Sequence, residues 1–204
     1  MSTPSEAFRA TWLAHLLPLV PSEGWTSAAA SKAAAEAGLT EGEQALAAPM
    51  GVRDLLRAFF DGAEAEARDR LAAADLEPLR VHERVALGVR TWLDVLEPNR
   101  KAVSRASVRG FMPWGTGDAA ARTWSVANTV WTGVGDTSED YNYYSKRALL
   151  AATIGPIVLY WLRDPASDDL DAFIAARLKG AMRFGQAGAR VFKPFLDRFA
   201  GGAA

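Results

Sequence analysis

Two overlapping segments decide the fold: "GDTSEDYNYYSKRALL" (135–150) and the apolar run "ALLAATIGPIVLYWL" (148–162). The first mixes acids, three tyrosines and two adjacent bases, whereas the second has no charged residue in 15 positions. A helix that is apolar all round must be buried on every side or must line a cavity for an apolar ligand. It is also shorter than the ~20 residues that a membrane-spanning helix needs. We therefore expect a buried helix with a polar, aromatic start.

The rest of the chain follows helical spacing as well. Ala, Leu, Arg and Glu dominate, and alternating runs of Val, Ile and Thr are missing. The segment "WTSAAASKAAAEAG" (25–38) predicts a short helix with Thr26 or Ser27 as its N-cap and Gly38 as its stop. An all-α bundle of about ten helices is predicted. The main helices are expected at 6–19, 25–38, 39–51, 52–74, 78–97, 99–110, 118–134, 138–162 and 168–184.

Composition limits the classes of function. The absence of cysteine excludes disulfides, thiolate catalysis and Cys-based metal sites. A net charge of −1 argues against bulk attraction to nucleic acid. The N-terminus has neither a cationic start before an apolar core nor an Arg-rich character, so we expect no signal or transit peptide. We predict a cytoplasmic location, peripheral on the inner face of the membrane, and three segments: a helix-turn-helix-like module (1–50), a lipid-binding bundle (51–186) and an amphipathic tail (187–204).

The first three short helices, followed by a bundle, resemble the layout of TetR-type regulators. In that layout the second and third helices form a helix-turn-helix, which needs cations to meet DNA phosphates. Between Ser22 and Gly51 the net charge is −3, and Lys32 is the single base. The predicted recognition helix "TEGEQALAA" (40–48) has no Lys, Arg or Asn to contact a base edge. We expect a degenerate module without nucleic acid as a partner, and a ligand-responsive transcriptional regulator stays the alternative function.

Catalytic motifs are missing. His15 and His82 do not lie in the Glu-x-x-His motifs of a di-iron bundle, and HExxH is absent. Asp136 and Asp140 could act as the paired carboxylates of a hydrolase, but acids in the first turn of a helix are also favoured by its dipole. No nucleophile accompanies them. We predict a non-catalytic protein with no metal and no cofactor.

Lys146 and Arg147 stand where the apolar run begins. Cationic donors at the rim of an apolar site suit a phospholipid or a polar-headed isoprenoid, although a purely structural core explains the apolar run equally well. The predicted lipid-binding residues are Arg147, Lys146, Leu150, Ile154, Ile157, Trp161 and Trp131.

The three tyrosines of this segment are Tyr141, Tyr143 and Tyr144. Because they are spread over one helical turn, they cannot all face the same core. At least one should be exposed, and an exposed aromatic beside charged residues suits a protein–protein contact.

The segment "GDTSEDYNYYSKRALLA" (135–151) resembles the signature of the ubiquinone-biosynthesis accessory lipid-binding proteins, the ninth coenzyme-Q assembly factor of mitochondria and its alphaproteobacterial relatives. The resemblance extends from about Phe8 to Phe184. Supporting stretches are "LVPSEGWTSAAASKAAAEAGL" (19–39), "VWTGVGD" (130–136), "LYWLRDPASDD" (159–169) and "FIAARLKGAMRFG" (173–185).

The resemblance implies a TetR-like fold that has become a lipid binder and forms a homodimer. Such proteins hold an isoprenoid quinone precursor or a phospholipid and partner the di-iron hydroxylase that acts on demethoxy-ubiquinone. It also implies a lipid-headgroup position for Arg147. Tyr143 replaces the Trp that is frequent in mitochondrial members. The predicted partner interface consists of Asp140, Asn142, Tyr143, Tyr144 and Val130.

The C-terminal part is basic, with six bases and one acid from Arg177 to Arg198. Four apolar residues there follow i, i+3, i+4, i+7 spacing, which fits an anchor on a membrane surface of anionic lipid. Gly188 and Pro194 shorten the possible helix, and a terminal helix packed back on the bundle is the alternative. The resemblance includes a C-terminal amphipathic membrane helix and favours the anchor. The predicted anchor residues are Phe192, Phe195, Leu196 and Phe199.

Overall fold

The structure is a computed structural model that describes residues 3–108, 117–139 and 141–200; within these ranges the side chains of 107, 108, 117–119, 141 and 184–200 are not described. All regular secondary structure in the described residues is helical, which confirms the all-α prediction. The elements are α1 (Pro4–Leu16), α2 (Val20–Glu23), α3 (Ser27–Glu36), α4 (Glu41–Ala47), α5 (Val52–Ala72), α6 (Val81–Leu96), a 3₁₀ turn (Glu97–Asn99), α7 (Arg100–Val108), α8 (Gly117–Gly133), α9 (Tyr141–Trp161) and α10 (Ser167–Ala200).

The N-terminal helices have the caps that their sequences predict. The Thr26 hydroxyl accepts a hydrogen bond from the third residue of α3, and Thr40 forms a reciprocal capping box at the start of α4. Gly38 follows α3 with a φ of +69°, in the left-handed region that favours glycine. Helix α1 packs against α3 and α4, and the buried Trp12 indole donates to the Ala30 carbonyl at 2.8 Å. Helices α1, α3 and α4 therefore correspond to the three short helices predicted at the start of the chain.

Several predicted helix boundaries were wrong; for example, α6 begins at Val81 and not at residue 78. The first helix ends at Leu16, because the chain turns there before the short α2 begins. The expected break after residue 184 is absent, since α10 continues through Gly188 and Pro194 to Ala200. A glycine or proline inside a helix weakens or bends it without necessarily ending it. Within the part of the chain that the structure describes, no helix is both long and apolar enough to cross a membrane.

Contacts divide the chain into two compact units, Met1–Arg70 with Thr91–Arg122 and Leu71–Arg90 with Thr123–Ala204. In the first unit the buried Trp25 donates its indole N–H to the Ala102 carbonyl at 2.9 Å. The second unit contains most of α8, all of α9 and all of α10, and hence the apolar run 148–162 with its polar start. The three functional segments predicted from the sequence, divided after residues 50 and 186, stay a prediction.

Helix α9 is the apolar helix of the second unit, and it packs along α10. The Tyr160 ring stacks on the Phe173 ring of α10 with centroids 4.1 Å apart. Burial on every side is not observed, however. Ala148, Ala152 and Leu159 are exposed, and Leu159 retains 45% of its accessible surface. Helix α9 thus has a buried side and an apolar exposed side.

Candidate functional site

The end of α8 places an acid directly beside the start of α9. Gly135 has a φ of +83° and donates its N–H to the Thr132 carbonyl at 3.1 Å. The N–H of Asp136 reaches back to the Trp131 carbonyl at 3.0 Å. These two bonds form the Schellman ending, in which glycine is the favoured residue at the left-handed position. The sequence Val134-Gly135-Asp136 therefore fixes Asp136 immediately after the helix.

The Asp136 carboxylate collects three donors. Its Oδ1 accepts from Lys146 Nζ at 2.9 Å and from Ser138 Oγ at 2.8 Å, and its Oδ2 accepts from Arg147 Nη1 at 3.0 Å. The side chain is only 7% exposed. Burial by itself raises the pKa of Asp136, but the hydrogen bonds from Lys146, Ser138 and Arg147 outweigh it, so the pKa lies below its ordinary value. Asp136 is therefore an ionised, structural carboxylate.

Arg147 is almost fully buried, with 2% of its side chain exposed. Its Nε donates to Asn128 Oδ1 at 2.8 Å, and its Nη1 donates to the Tyr143 carbonyl at 3.2 Å as well as to Asp136. The guanidinium carbon lies 3.6 Å from the centroid of the Tyr143 ring. Planar stacking together with a fork of donors is the geometry that arginine, unlike lysine, can supply. Arg147 thus joins α8, the α8–α9 turn and the first turn of α9.

Lys146 lies on the more open side of the same cluster, with 36% of its side chain exposed. Besides Asp136, its Nζ contacts Ser138 Oγ at 2.8 Å and lies 5.3 Å from the centre of the Trp131 ring. The Trp131 indole in turn donates to the Lys146 carbonyl at 3.2 Å. Two cations share one carboxylate here, and Lys146 is the one of the two that solvent reaches.

An exposed aromatic surface adjoins this cluster; we define it as the exposed ring of Tyr144 together with the half-buried rings of Trp124 and Tyr143 that it meets. Tyr144 is 62% exposed. Its ring meets the Tyr143 ring edge to face at a centroid distance of 5.1 Å and stacks on the Trp124 ring at 6.3 Å. Asn142 is exposed beside it. The expected exposed tyrosine is therefore Tyr144.

The other predicted site residues fall in different environments. Val130 is fully buried, close to Gly88 of α6, whereas the predicted partner residues Asn142 and Tyr144 lie on the surface. Asp140 lies outside the described residues, as do the side chains of Phe192, Phe195, Leu196 and Phe199. Of the predicted lipid-binding residues, four form the buried side of α9: Leu150, Ile154, Ile157 and Trp161. Burial on that side is what a packed core and a lined lipid site both require.

Asn128 and Ser138 are site residues that the sequence analysis did not single out. Asn128 lies between Trp124 and Trp131 on α8, at helical spacing that places all three on one side. A polar amide within an aromatic stripe was the signal that could have indicated a buried hydrogen-bonding role. Ser138 carried no such signal, because serine before a helix ordinarily serves as a cap.

The helix-turn-helix-like module offers little for DNA. Lys32, the single base between Ser22 and Gly51, donates to Glu23 Oε1 at 2.9 Å. Helix α4, at the recognition position, carries two acids in its first turn and no base. This surface therefore does not favour the transcriptional-regulator alternative.

Fold and site together define a class: an all-α protein whose exposed aromatic surface adjoins a buried ion-pair cluster at the start of an apolar helix. Residues 116–185 match the COQ9 family model, and this range contains the whole site. The chain is 28% identical over 162 residues to the probable ubiquinone biosynthesis protein coq9, mitochondrial, of Dictyostelium discoideum, covering 76% of this chain and 53% of that protein.

The human relative, ubiquinone biosynthesis protein COQ9, mitochondrial, is 25% identical over 188 residues, which cover 88% of this chain and 59% of the human protein. The chain therefore spans between half and two thirds of the length of these curated relatives. The resemblance noted from the sequence is confirmed: the residues that match the COQ9 family model include α8, the α8–α9 turn and α9.

Proposed function

We propose that this chain is a non-catalytic accessory protein of ubiquinone biosynthesis. It binds an isoprenoid quinone precursor or a phospholipid and presents the precursor to a di-iron quinone hydroxylase at the membrane. The observation that carries the proposal is the exposed aromatic surface inside the segment that matches the COQ9 family. Its curated relatives are named for ubiquinone biosynthesis.

The aromatic surface supports a protein partner. Tyr144 is exposed, yet its ring already lies against the rings of Tyr143 and Trp124. Aromatic anchors dominate the binding energy of many interfaces. An anchor that is held in place before binding loses less conformational entropy when it docks. The hydroxylase is the partner that the family resemblance implies for this surface, together with Asn142 and Asp140.

The buried side of α9 supports an apolar ligand. No charge interrupts it between Ala148 and Leu162, and the ion-pair cluster lies at its beginning. In this conformation Arg147 is occupied by Asp136, so a headgroup would meet Lys146 first. A headgroup role for Arg147 then requires a negatively charged group that replaces or supplements Asp136.

The C-terminal half of α10 supports the membrane step. Because α10 is continuous to Ala200, the positions 192, 195, 196 and 199 follow one another along one side of a helix. The neighbouring bases favour an anionic surface. We propose that this half anchors the protein on the inner face of the membrane, and that two copies act as a homodimer.

The binding of the hydroxylase tests this function. Purified hydroxylase from the same organism is titrated against the wild-type protein, Tyr144→Ala and Leu159→Ala by calorimetry. We expect Tyr144→Ala to weaken binding about 30-fold, the effect of losing an aromatic hot spot. Leu159→Ala is the matched control, because Leu159 is also exposed on α9 but lies 15 positions from Tyr144. No binding by the wild type, or equal binding by Tyr144→Ala, would contradict the proposal.

A further inference from the structure

Tyr143 is held at three points. Its hydroxyl donates to Asn128 Oδ1 at 3.2 Å, and its face carries the Arg147 guanidinium at 3.6 Å. Its carbonyl accepts from Arg147 Nη1 at 3.2 Å. Each contact restrains a different part of the residue: the ring tip, the ring face and the backbone. Tyr143 is therefore a fixed element on which another side chain can rest.

The Asn128 amide is fixed by the same contacts. Its Oδ1 accepts from the Tyr143 hydroxyl and from Arg147 Nε, which uses both lone pairs of the oxygen. A flipped amide would turn its NH₂ group toward the Arg147 Nε–H, which cannot accept, and would lose that bond. Asn128 therefore has one favourable orientation, and it sets the distance between α8 and the first turn of α9.

Arg147 remains in this buried position because it has a counter-charge. Asp136 accepts from it at 3.0 Å, and the Schellman ending of α8 fixes the position of Asp136. A buried guanidinium without such a partner would be strongly unfavourable. The chain of contacts thus runs from the α8–α9 turn through Arg147 to Tyr143.

Tyr144 is the last residue in this chain of contacts. Its exposed ring rests edge to face on Tyr143 and stacks on Trp124. We infer that Asn128 and Arg147 are positioning residues, which hold Tyr143 so that Tyr144 is presented in a fixed orientation for docking to a protein partner. The docking part of this inference rests on the proposed function, whereas the orientation of Tyr144 does not.

Fluorine NMR of protein labelled with 3-fluorotyrosine tests the orientation directly. The chain has four tyrosines, so four signals can be assigned by single Tyr→Phe substitutions. In Asn128→Ala we expect the signals of Tyr143 and Tyr144 to move toward their unfolded positions by more than a linewidth. The signal of Tyr160 should stay in place, because Tyr160 stacks on Phe173 near the other end of α9.

Three further variants keep the test specific. Asn128→Asp retains an acceptor for both donors and should restore the wild-type signals, whereas an exchange of an exposed neighbour on α8, Thr132→Ala, should leave all four unchanged. Tyr143→Phe removes the hydroxyl alone and should shift Tyr144 in the same direction as Asn128→Ala. An unmoved Tyr144 signal in Asn128→Ala would overturn the inference. Equal displacement of Tyr160 would also overturn it, since Asn128 would then act on the whole unit.

Binding of the hydroxylase to the same variants distinguishes this inference from the proposed function. Asn128→Ala should weaken binding of the purified hydroxylase about tenfold, because the unrestrained Tyr144 side chain must be ordered on docking. If the signals respond as expected but the wild type binds no hydroxylase, the positioning role holds and the proposed function fails. If the wild type binds and Asn128→Ala binds equally well, the presentation role fails alone.

Discussion

Asp136 and Arg147 form a buried ion pair that the surrounding residues satisfy almost completely. Asp136 accepts from Lys146 and Ser138 as well, and Arg147 donates also to Asn128. Removing one member of such a pair leaves the other charge buried without its partner. The remaining charge, more than the lost attraction, then determines the loss of stability.

We expect Asp136→Asn to lower the free energy of unfolding by about 3 kcal/mol, because Arg147 loses its counter-charge in a buried place. Urea unfolding at pH 7 measures this difference. Asp171→Asn is the matched control: Asp171 pairs with Arg90 at 2.7 Å, but its side chain is 57% exposed. An exposed pair contributes less than about 1 kcal/mol. Equal losses in the two variants would contradict the assigned role of Asp136.

The same residue predicts a pH dependence. Hydrogen bonds hold the pKa of Asp136 below its ordinary value, so the unfolded chain takes up a proton at a higher pH than the folded protein. The stabilisation is therefore complete above the ordinary carboxyl pKa of about 3.9 and is lost as the pH falls through the lower folded value. We expect the free energy of unfolding of the wild type to exceed that of Asp136→Asn by a constant amount from neutral pH to about pH 5. Below about pH 4 the difference should become smaller. A constant difference down to the acid unfolding range would contradict this.

At the scale of single residues, the sequence predicts local partners better than distant ones. Thr26 and Gly38 act within four residues of their own helix end; Gly38 was predicted as the stop, and Thr26 was one of the two predicted caps. Asp136 reaches Lys146 and Arg147 ten and eleven positions away, and Asn128 meets Arg147 nineteen positions away. Such pairs depend on how α8 and α9 are oriented relative to each other, and no short-range sequence pattern determines that orientation. The sequence therefore indicated the candidate residues of the site but not their pairing.

At the scale of elements, the turn between α8 and α9 depends on the backbone of Gly135. Its φ of +83° strains any other residue, although a Cβ there would meet no atom within 4 Å. We expect Gly135→Ala to lower the free energy of unfolding by about 1 kcal/mol. Gly180→Ala is the matched control inside α10, where a Cβ also meets nothing within 4 Å and φ is helical. It should stabilise the protein by up to about 1 kcal/mol. Thermal unfolding of both variants measures the two changes in stability, which should have opposite signs. An increase in stability in Gly135→Ala would contradict the role of Gly135 in the turn.

Helix α9 shows why an element can be predicted without its orientation. Its uncharged run predicts a helix, but residues that are apolar on every side give no periodic signal to mark the buried face. The structure exposes Ala148, Ala152 and Leu159 and buries Ile154 and Trp161. The predicted start at Ser138 was also early, because Asp136 and Ser138 pair with Lys146 before the helix begins at Tyr141.

At the scale of the whole molecule, helical periodicity predicts the all-α class because it is a property of neighbouring residues. The division into two compact units could not be predicted in the same way. Residues 71–90 belong to one unit and 91–122 to the other, although α6 runs through both ranges. Only contacts that are distant in sequence determine such a division.

The C-terminal half of α10 gives a prediction for the molecule on a membrane. We expect Phe195→Glu to reduce co-sedimentation with vesicles rich in anionic phospholipid, because a charge replaces an apolar anchor near lipid that is itself negative. Met182→Glu is the matched control: it introduces the same charge on the same helix, at an exposed residue that precedes the predicted anchor. A larger loss of co-sedimentation in Met182→Glu than in Phe195→Glu would contradict the proposed anchor. Salt should weaken the binding of the wild type.

The central proposal is that the protein binds an isoprenoid quinone precursor or a phospholipid, and native mass spectrometry of protein purified without detergent tests it most directly. We predict a complex heavier than the polypeptide, whose additional mass is removed by organic extraction and is identified as an isoprenoid quinone precursor or a phospholipid. Detection of the bare polypeptide alone, before and after incubation with such lipids, would contradict the account.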